Sequence, residues 1–156
     1  MNCIQKINDR LAALGGCFQS LLLLVIRLVW GWQFFLTGKG KLGDLSRPTQ
    51  YFASLHIPAP HANAILVSVT ECFGGLLLAL GLGTRFIAPI FIVEMVVAYV
   101  TSEKEALHAL WADSDKFFAA APFLFLFASV IVFVFGPGRI SLDALIFRKS
   151  ASTPSA

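Results

Sequence analysis

Three charged residues, Arg27, Glu71 and Glu94, stand inside long apolar segments of this sequence. An arginine is charged at every physiological pH, and a carboxyl group can accept or release a proton. A charged side chain that faces lipid costs roughly 3 kcal/mol, so residues of this kind usually face the interior of a helical bundle. The three residues are therefore the candidate catalytic residues of a buried site that orients a ligand or moves protons.

The simplest arrangement of these charges places Arg27 between the two carboxylates, at one depth in a bundle. One arginine and two ionised glutamates would leave an excess negative charge, which a proton held on one carboxyl group removes. Such a proton suits proton-coupled redox chemistry or proton-coupled transport. The alternative is a structural charge cluster that only sets the register of the helices.

Residues beside these charges predict a surface that could contact a planar cofactor. Trp30 and Phe34 follow Arg27 at i+3 and i+7, so the three share a helix face. Their rings can stack a quinone, or they can simply pack against other apolar side chains. Gly74 and Gly75, in the second apolar segment, let helices approach closely. These four residues are the predicted cofactor-binding residues; a quinone is the cofactor considered, and no metal site is predicted.

The elements that must position these residues are membrane-spanning helices. Hydrophobic residues make up 57% of the 156-residue chain and charged residues 13%, against about 25% charged in soluble domains. A spanning helix needs about 20 mainly apolar residues. Four segments qualify, at about 17–37, 62–82, 86–101 and 117–135. The sequence predicts an all-α integral membrane protein, a four-transmembrane-helix bundle.

The remaining segments complete the predicted organisation. Residues 1–16 are predicted to form an N-terminal interfacial segment, residues 17–148 the four-helix membrane domain, and residues 149–156 a disordered polar tail. The first long loop predicts a short interfacial helix that carries Tyr51, Phe52 and Leu55 on one face. That face either rests on the bilayer interface or plugs the mouth of the bundle.

Basic residues lie near the ends of the predicted spans, which makes a nucleic-acid partner unexpected. A slight excess of lysine and arginine on the side of the two termini predicts that both termini are cytoplasmic. Lys39 and Lys41, at the end of the first span, are interpreted as reaching lipid headgroups. Beyond the fourth span, Arg139 and Asp143 are four residues apart and are predicted to pair on a short helix that Ser141 caps.

Four blocks of this sequence resemble signatures of the DoxX family, and they occur in the family's order. The blocks are "RLVWGWQFFLTGKGKL", "FASLHIPAP", "ECFGGLLLALGLGTR" and "GPGRISLDALI", which together cover Arg27 to about Ile146. The resemblance implies a small bacterial inner-membrane protein with a four-helix bundle. Some members are the small membrane subunit of a thiosulfate:quinone oxidoreductase, and others accompany soluble redox enzymes in oxidative-stress responses. Glu94 has no counterpart in these blocks and is chosen on its depth alone.

The residues and the resemblance together predict a subunit or accessory of a membrane redox system, with a quinone or polar-ligand site between the first three spans. The expected partners are the lipid bilayer, a soluble or membrane redox protein that supplies the electrons, and a second copy of the chain. Two alternatives are a small proton-coupled transporter that uses the same charges and a membrane scaffold that docks a partner through the acidic loop at residues 103–116.

Overall fold

Helices account for the described structure, as the composition predicted. The computed structural model describes residues 3–150, and no β-strand occurs in this range. For residues 3, 4, 6, 17 and 147–150 it describes the backbone alone. The helices are α1 (Cys3–Gly43), α2 (Ser46–Ser54), α3 (Pro60–Leu80), α4 (Thr84–Thr101), α5 (Lys104–His108), a 3-10 turn (Ala109–Trp111), α6 (Ser114–Ala119), α7 (Pro122–Phe135) and α8 (Leu142–Ser150). The predicted all-α bundle, with a short helix in the first long loop, is confirmed.

Three of the described helices, α1, α3 and α4, are long and apolar enough to cross a membrane. Their candidate spans are Ile7–Gly43, Pro60–Leu80 and Thr84–Thr101. The segment at 117–135 is divided, because α6 ends at Ala119 and α7 begins at Pro122. The break is at Ala120, which is extended with φ −64° and ψ 139°. Pro122 has no N–H to donate within a helix, and it is in the first turn of α7, where none is needed. α7 is therefore a shorter apolar helix of 14 residues.

α1 is one continuous helix of 41 residues, about 60 Å long at 1.5 Å per residue. It contains both the predicted N-terminal segment and the first predicted span. The interfacial location of residues 1–16 stays a prediction. From residue 151 on, the predicted disordered tail lies outside the described residues.

α1 and α3 pack antiparallel through glycines that bring their backbones together. A Cβ atom on Gly31 would lie 2.7 Å from the backbone nitrogen of Ala79 and 2.8 Å from the carbonyl oxygen of Gly75. Seven residues further along α1, Gly38 meets Ser68 and Cys72, which are earlier in α3. Such contacts leave no room for a side chain and fix the register of the two helices.

Aromatic rings join α1 to the second pair of helices, α4 and α7. Phe34 stacks on Phe91 with the ring centroids 3.8 Å apart, and Phe125 meets Phe34 edge-on at 4.7 Å. Phe34 and Phe91 are fully buried, as is Val132 of α7. This core lies in the middle of the bundle and separates two polar regions, one towards each end.

Candidate functional site

A cavity of about 460 Å³ lies between α3 and α4, on the α2 side of the aromatic core. Its volume falls in the range of small-molecule sites, roughly 300–1,000 Å³. Most of its wall is apolar, and the charged side chains that reach it are Lys41, Glu71 and Glu94. An apolar cavity with a few convergent polar groups is the usual composition of a ligand site.

Lys41 and Glu71 form an ion pair on the wall of this cavity. The Nζ atom of Lys41 lies 2.7 Å from Oε1 of Glu71, and the Glu71 side chain is 5% exposed. Lys41 is in the last turn of α1, and helical side chains point towards the N-terminus of their helix. Its ammonium group is therefore directed back into the bundle and donates a charge-assisted hydrogen bond there.

The remaining carboxyl oxygens of the cluster are buried. Within the described residues, and apart from each other, neither oxygen of Glu94 nor Oε2 of Glu71 has a hydrogen-bond partner. The charged neighbours of Glu94 are Glu71 and Lys41. The two carboxyl groups also contact each other through a side-chain hydrogen bond, which requires a proton on one of them. This bond still leaves an oxygen of Glu94 that can accept from a ligand, because buried polar atoms are nearly always paired.

The cluster contains one ammonium group and two carboxyl groups. It is neutral when one carboxyl group carries a proton, so this place can hold a proton and release it. Among the described residues, no group of three His, Cys, Asp or Glu side chains could hold a metal ion.

α2 closes one end of the cavity. Tyr51 and Phe52 reach the cavity wall from this helix, which favours the second of the two predicted alternatives, that α2 plugs the mouth of the bundle. On the opposite side of the cavity, Phe34 and Phe125 belong to the aromatic core. Aromatic rings thus line the cavity from α2 and from the core, and the half-exposed ring of Tyr51 is one against which a flat ligand could stack.

The side of the cavity between α3 and α4 opens towards lipid. Leu66 of α3 and Val93 of α4 line the cavity, and each is 63% exposed. Val97, one turn further along α4, also lines it and is 49% exposed. Since these apolar side chains belong to the cavity wall and to the outer surface alike, a lipophilic molecule could enter from the bilayer.

Arg27 does not join this cavity, and the predicted placement of Arg27 between the two carboxylates is wrong. The packing of α1 on α3 sets Gly38 beside Ser68 and Cys72, so Glu71 lies near Gly38. The eleven residues from Arg27 to Gly38 on α1 correspond to about 16 Å along the helix axis. Lys41, read from the sequence as a headgroup contact, supplies the cation instead.

Arg27 is fully buried at the other end of the bundle, under the turn that joins α3 to α4. Its Nη2 donates a hydrogen bond to the carbonyl oxygen of Ile140. Gly81, the first residue of the turn, faces the Arg27 guanidinium so closely that a Cβ atom there would collide with it. Arg27 thus holds the segment after α7 against the turn between two spanning helices.

Of the four predicted cofactor-binding residues, one lines the cavity and three do not. Phe34 lines the cavity, whereas Trp30, Gly74 and Gly75 are not among its lining residues. Trp30 packs against the apolar core, and the two glycines face Phe91 and the backbone of α1. Lys41 is the residue that the sequence interpretation missed. Its position at i+7 from Phe34 is the signal, because the helix continues past the end of the apolar run.

Asp143 corrects a second sequence prediction. Its carboxylate does not pair with Arg139 but accepts hydrogen bonds from the backbone N–H groups of Gly83, at 2.8 Å, and Thr84, at 3.0 Å. These amides are at the start of α4, where no carbonyl oxygen of the same helix can accept their hydrogen bonds. The predicted cap of α8 is confirmed, because the N–H of Ala144 donates to Oγ of Ser141.

Replacing Asp143 with alanine is expected to destabilise the fold by about 1–2 kcal/mol, the usual cost of losing a helix cap. The Asp143→Asn variant should lose less, because its amide oxygen can still accept one bond. Thermal unfolding in detergent, followed by circular dichroism, measures both. Asp113→Ala is the control, because the exposed pair of Asp113 with Lys116 contributes little; equal loss in Asp113→Ala and Asp143→Ala would contradict the capping role.

Comparison with known proteins identifies a family and two relatives. The family model described as DoxX matches residues 22–104. A Bacillus subtilis (strain 168) protein named "Putative oxidoreductase CatD" is 26% identical over 125 residues, which are 80% of this chain and 87% of that protein. The "Inner membrane protein YphA" of Escherichia coli (strain K12) is 30% identical over 136 residues, which are 82% of this chain and 92% of that protein. No solved structure matches the chain.

Proposed function

Because the chain belongs to the DoxX family of bacterial inner-membrane proteins, we propose that it is the membrane component of a redox system and binds a quinone headgroup in the cavity between α3 and α4. The observation that carries this proposal is the adjacent pair of buried carboxyl groups of Glu71 and Glu94, which share a proton and face an apolar cavity. The relative named as an oxidoreductase supports the redox assignment. The cytoplasmic location of the termini stays a prediction.

The shape of the cavity supports a lipophilic ring as the ligand. Its volume of about 460 Å³ accommodates a substituted six-membered ring. The opening between Leu66 and Val93 would let a hydrophobic tail remain in the bilayer while the ring enters. Tyr51 lines the cavity and is half exposed, so its ring offers a surface against which the ligand ring stacks, and the buried Phe34 adds to the apolar wall.

The polar groups match both redox forms of such a ligand. A bound quinone would present two carbonyl oxygens, and its reduction to a quinol would take two electrons and two protons, of which the cluster can supply the one that a carboxyl group holds. Lys41 donates a hydrogen bond to one carbonyl, and the carboxyl group that holds a proton donates to the other. After reduction, the carboxylate oxygens of Glu71 and Glu94 accept from the hydroxyl groups. The electrons would come from a partner protein.

The charge of the cluster disfavours the transport of a small anion. Two carboxyl groups face one ammonium group, and Lys41 already pairs with Glu71. Because Glu71 already neutralises Lys41, no unpaired cation among the described residues lines the cavity to balance the charge of an anion. A neutral ligand with exchangeable protons needs no such balance.

Quinone binding to the protein in phosphatidylcholine nanodiscs tests the proposal. We expect decylubiquinone to bind, and Lys41→Met to weaken its binding about tenfold or more, since a hydrogen bond from a charged donor contributes about 1.5–3 kcal/mol. Lys39→Met is the matched control, because Lys39 is two residues away on the same helix and is absent from the cavity wall. Binding no greater than that of protein-free nanodiscs would refute the proposal, as would equal binding by the two lysine variants.

A second variant tests the role of the proton. We expect quinone affinity of the parent protein to fall as the pH rises, because the cluster then loses the proton that it donates to the ligand. Glu94→Gln keeps the shape and has a permanent donor, so its affinity should change much less with pH. Glu105→Gln, at an exposed position on α5, should keep the pH dependence of the parent. A pH profile that Glu94→Gln leaves unchanged would exclude Glu94 as the proton carrier.

A further inference from the structure

A second cleft lies at the opposite end of the bundle and contains two arginines. Arg85 and Arg139 line this cleft of about 490 Å³, together with Gly16 of α1 and the Gly136–Gly138 segment that follows α7. Both arginines are exposed. Among the described residues, neither forms an ion pair with an acidic side chain. The cleft therefore has two positive charges that are not neutralised within the described structure.

The backbone holds these arginines at the depth of lipid headgroups. Arg85 is in the first turn of α4, and Arg139 follows the end of α7, so both lie where apolar helices leave the bilayer. Gly136 has φ +75°, and a Cβ atom on it would be 3.4 Å from Nη2 of Arg85. The Arg85 guanidinium thus rests against backbone. In the described part of the chain, Asp143 forms no ion pair with either arginine, and its charge interacts with the buried Arg27.

An apolar groove between α1 and α7 adjoins the cleft. Both depressions are lined by Gln19, Leu23 and Phe135. The wall of the groove is otherwise apolar, with Leu22 on α1 and Ile131 on α7. Ile131 is one turn deeper in the bundle than Phe135, so the groove leads from the charged cleft into the apolar layer.

We propose that the cleft and the groove together bind one anionic glycerophospholipid. Its phosphodiester group lies between Arg85 and Arg139, whose planar guanidinium groups match phosphate oxygens in geometry. One acyl chain lies in the groove between α1 and α7. The charges select an anionic headgroup, and the apolar groove selects a lipid over a soluble phosphate. This site is at the other end of the bundle from the proposed quinone cavity and does not depend on it.

Lipid retention during purification tests this inference. We expect the protein, purified from vesicles of equal phosphatidylglycerol and phosphatidylcholine, to retain phosphatidylglycerol about tenfold more than phosphatidylcholine, as measured by native mass spectrometry. The double variant Arg85→Gln/Arg139→Gln should lose this preference. Arg47→Gln/Lys104→Gln removes the same charge at the opposite end and should keep it.

A steric variant distinguishes the effect of cleft shape on lipid retention from the effect of net charge. Gly16 lines the cleft, and a Cβ atom on it would meet nothing within 4 Å. Gly16→Leu should therefore fold normally, keep both arginines and still retain less phosphatidylglycerol. This variant tests the site even if the double arginine variant does not fold.

Three results would overturn the inference. The first is an unchanged preference for phosphatidylglycerol in both the double arginine variant and Gly16→Leu. The second is an equal loss of preference in Arg47→Gln/Lys104→Gln, which would show a general attraction of charges. The third is thermal stabilisation by inorganic phosphate or glycerol phosphate as large as that by phosphatidylglycerol, which would indicate a soluble anion as the ligand.

Discussion

Replacing Gly38 with alanine is expected to destabilise the bundle by about 3 kcal/mol, the upper part of the range for an overpacked core. The new Cβ atom would lie 2.7 Å from the carbonyl oxygen of Ser68 and closer still to the backbone nitrogen of Cys72. Both are backbone atoms of α3, so no side-chain rotation can relieve the clash. α1 and α3 would have to separate along their contact.

Gly40→Ala is the matched control for this prediction. It adds the same methyl group to the same helix two residues away, where nothing lies within 4 Å of the Cβ position. Because alanine favours a helix over glycine by about 1 kcal/mol, Gly40→Ala should leave stability unchanged or raise it. Thermal unfolding in detergent compares the two variants. If Gly38→Ala unfolds at the same temperature as Gly40→Ala, the close contact of α1 and α3 is not what holds the bundle.

Gly38→Ala also tests whether the packing of α1 on α3 affects the proposed quinone site. Lys41 is three residues from Gly38, and its ammonium group crosses to Glu71 of α3. If α1 and α3 separate, the ion pair should lengthen and the cavity should change shape. We therefore expect Gly38→Ala to weaken quinone binding as well, whereas Gly40→Ala should retain it.

Replacing Gly81 with alanine is expected to cost more than replacing Gly83, although both glycines adopt positive φ in one turn. Gly81 has φ +70° and Gly83 has φ +60°, so either alanine pays roughly 1 kcal/mol of backbone strain. At Gly83 nothing lies within 4 Å of the Cβ position. At Gly81 the Cβ atom would be 2.6 Å from Cβ of Ser141 and would collide with the Arg27 guanidinium. We expect Gly81→Ala to lose at least 2 kcal/mol beyond Gly83→Ala, about the cost of an overpacked core.

A double-mutant cycle identifies Arg27 as the partner in this effect. Arg27→Met removes the guanidinium group, so the further loss caused by Gly81→Ala should be smaller in that background than in the parent. The same cycle with Gly83→Ala should be additive, because Gly83 has open space around its Cβ position. Additivity for Gly81→Ala as well would show that Arg27 does not occupy the space under the turn.

Much of the fold could be predicted from local sequence. The apolar segments, the helix-forming composition and the turn glycines depend on neighbouring residues only, so the all-α membrane class followed from them. Glu71 and Glu94 were recognisable for the same reason, because a carboxyl group in an apolar segment must turn inwards. Ser141 as the cap of α8 also followed from short-range geometry.

The ion pairs could not be predicted, because they depend on how the helices slide past one another. In sequence, Arg27 is at the centre of the first apolar run, and Lys41 lies beyond its end. The backbone contacts at Gly31 and Gly38 set the register of α1 on α3, and this register brings Lys41 to Glu71. The same register places Arg27 at the opposite end of the bundle from Glu71, under the turn at Gly81.

The partner of Asp143 also depends on the tertiary structure and not on the local sequence. The spacing of Arg139 and Asp143 favours a local pair, but α8 begins only at Leu142, so the two residues do not share a helix. The start of α4 offers the carboxylate two free amides, at Gly83 and Thr84. The sequence by itself determined a helical membrane bundle with charged residues turned inwards, because burial of apolar surface and the cost of charge in lipid act residue by residue. Only the tertiary structure decided which charges meet, because pairing depends on interhelical register.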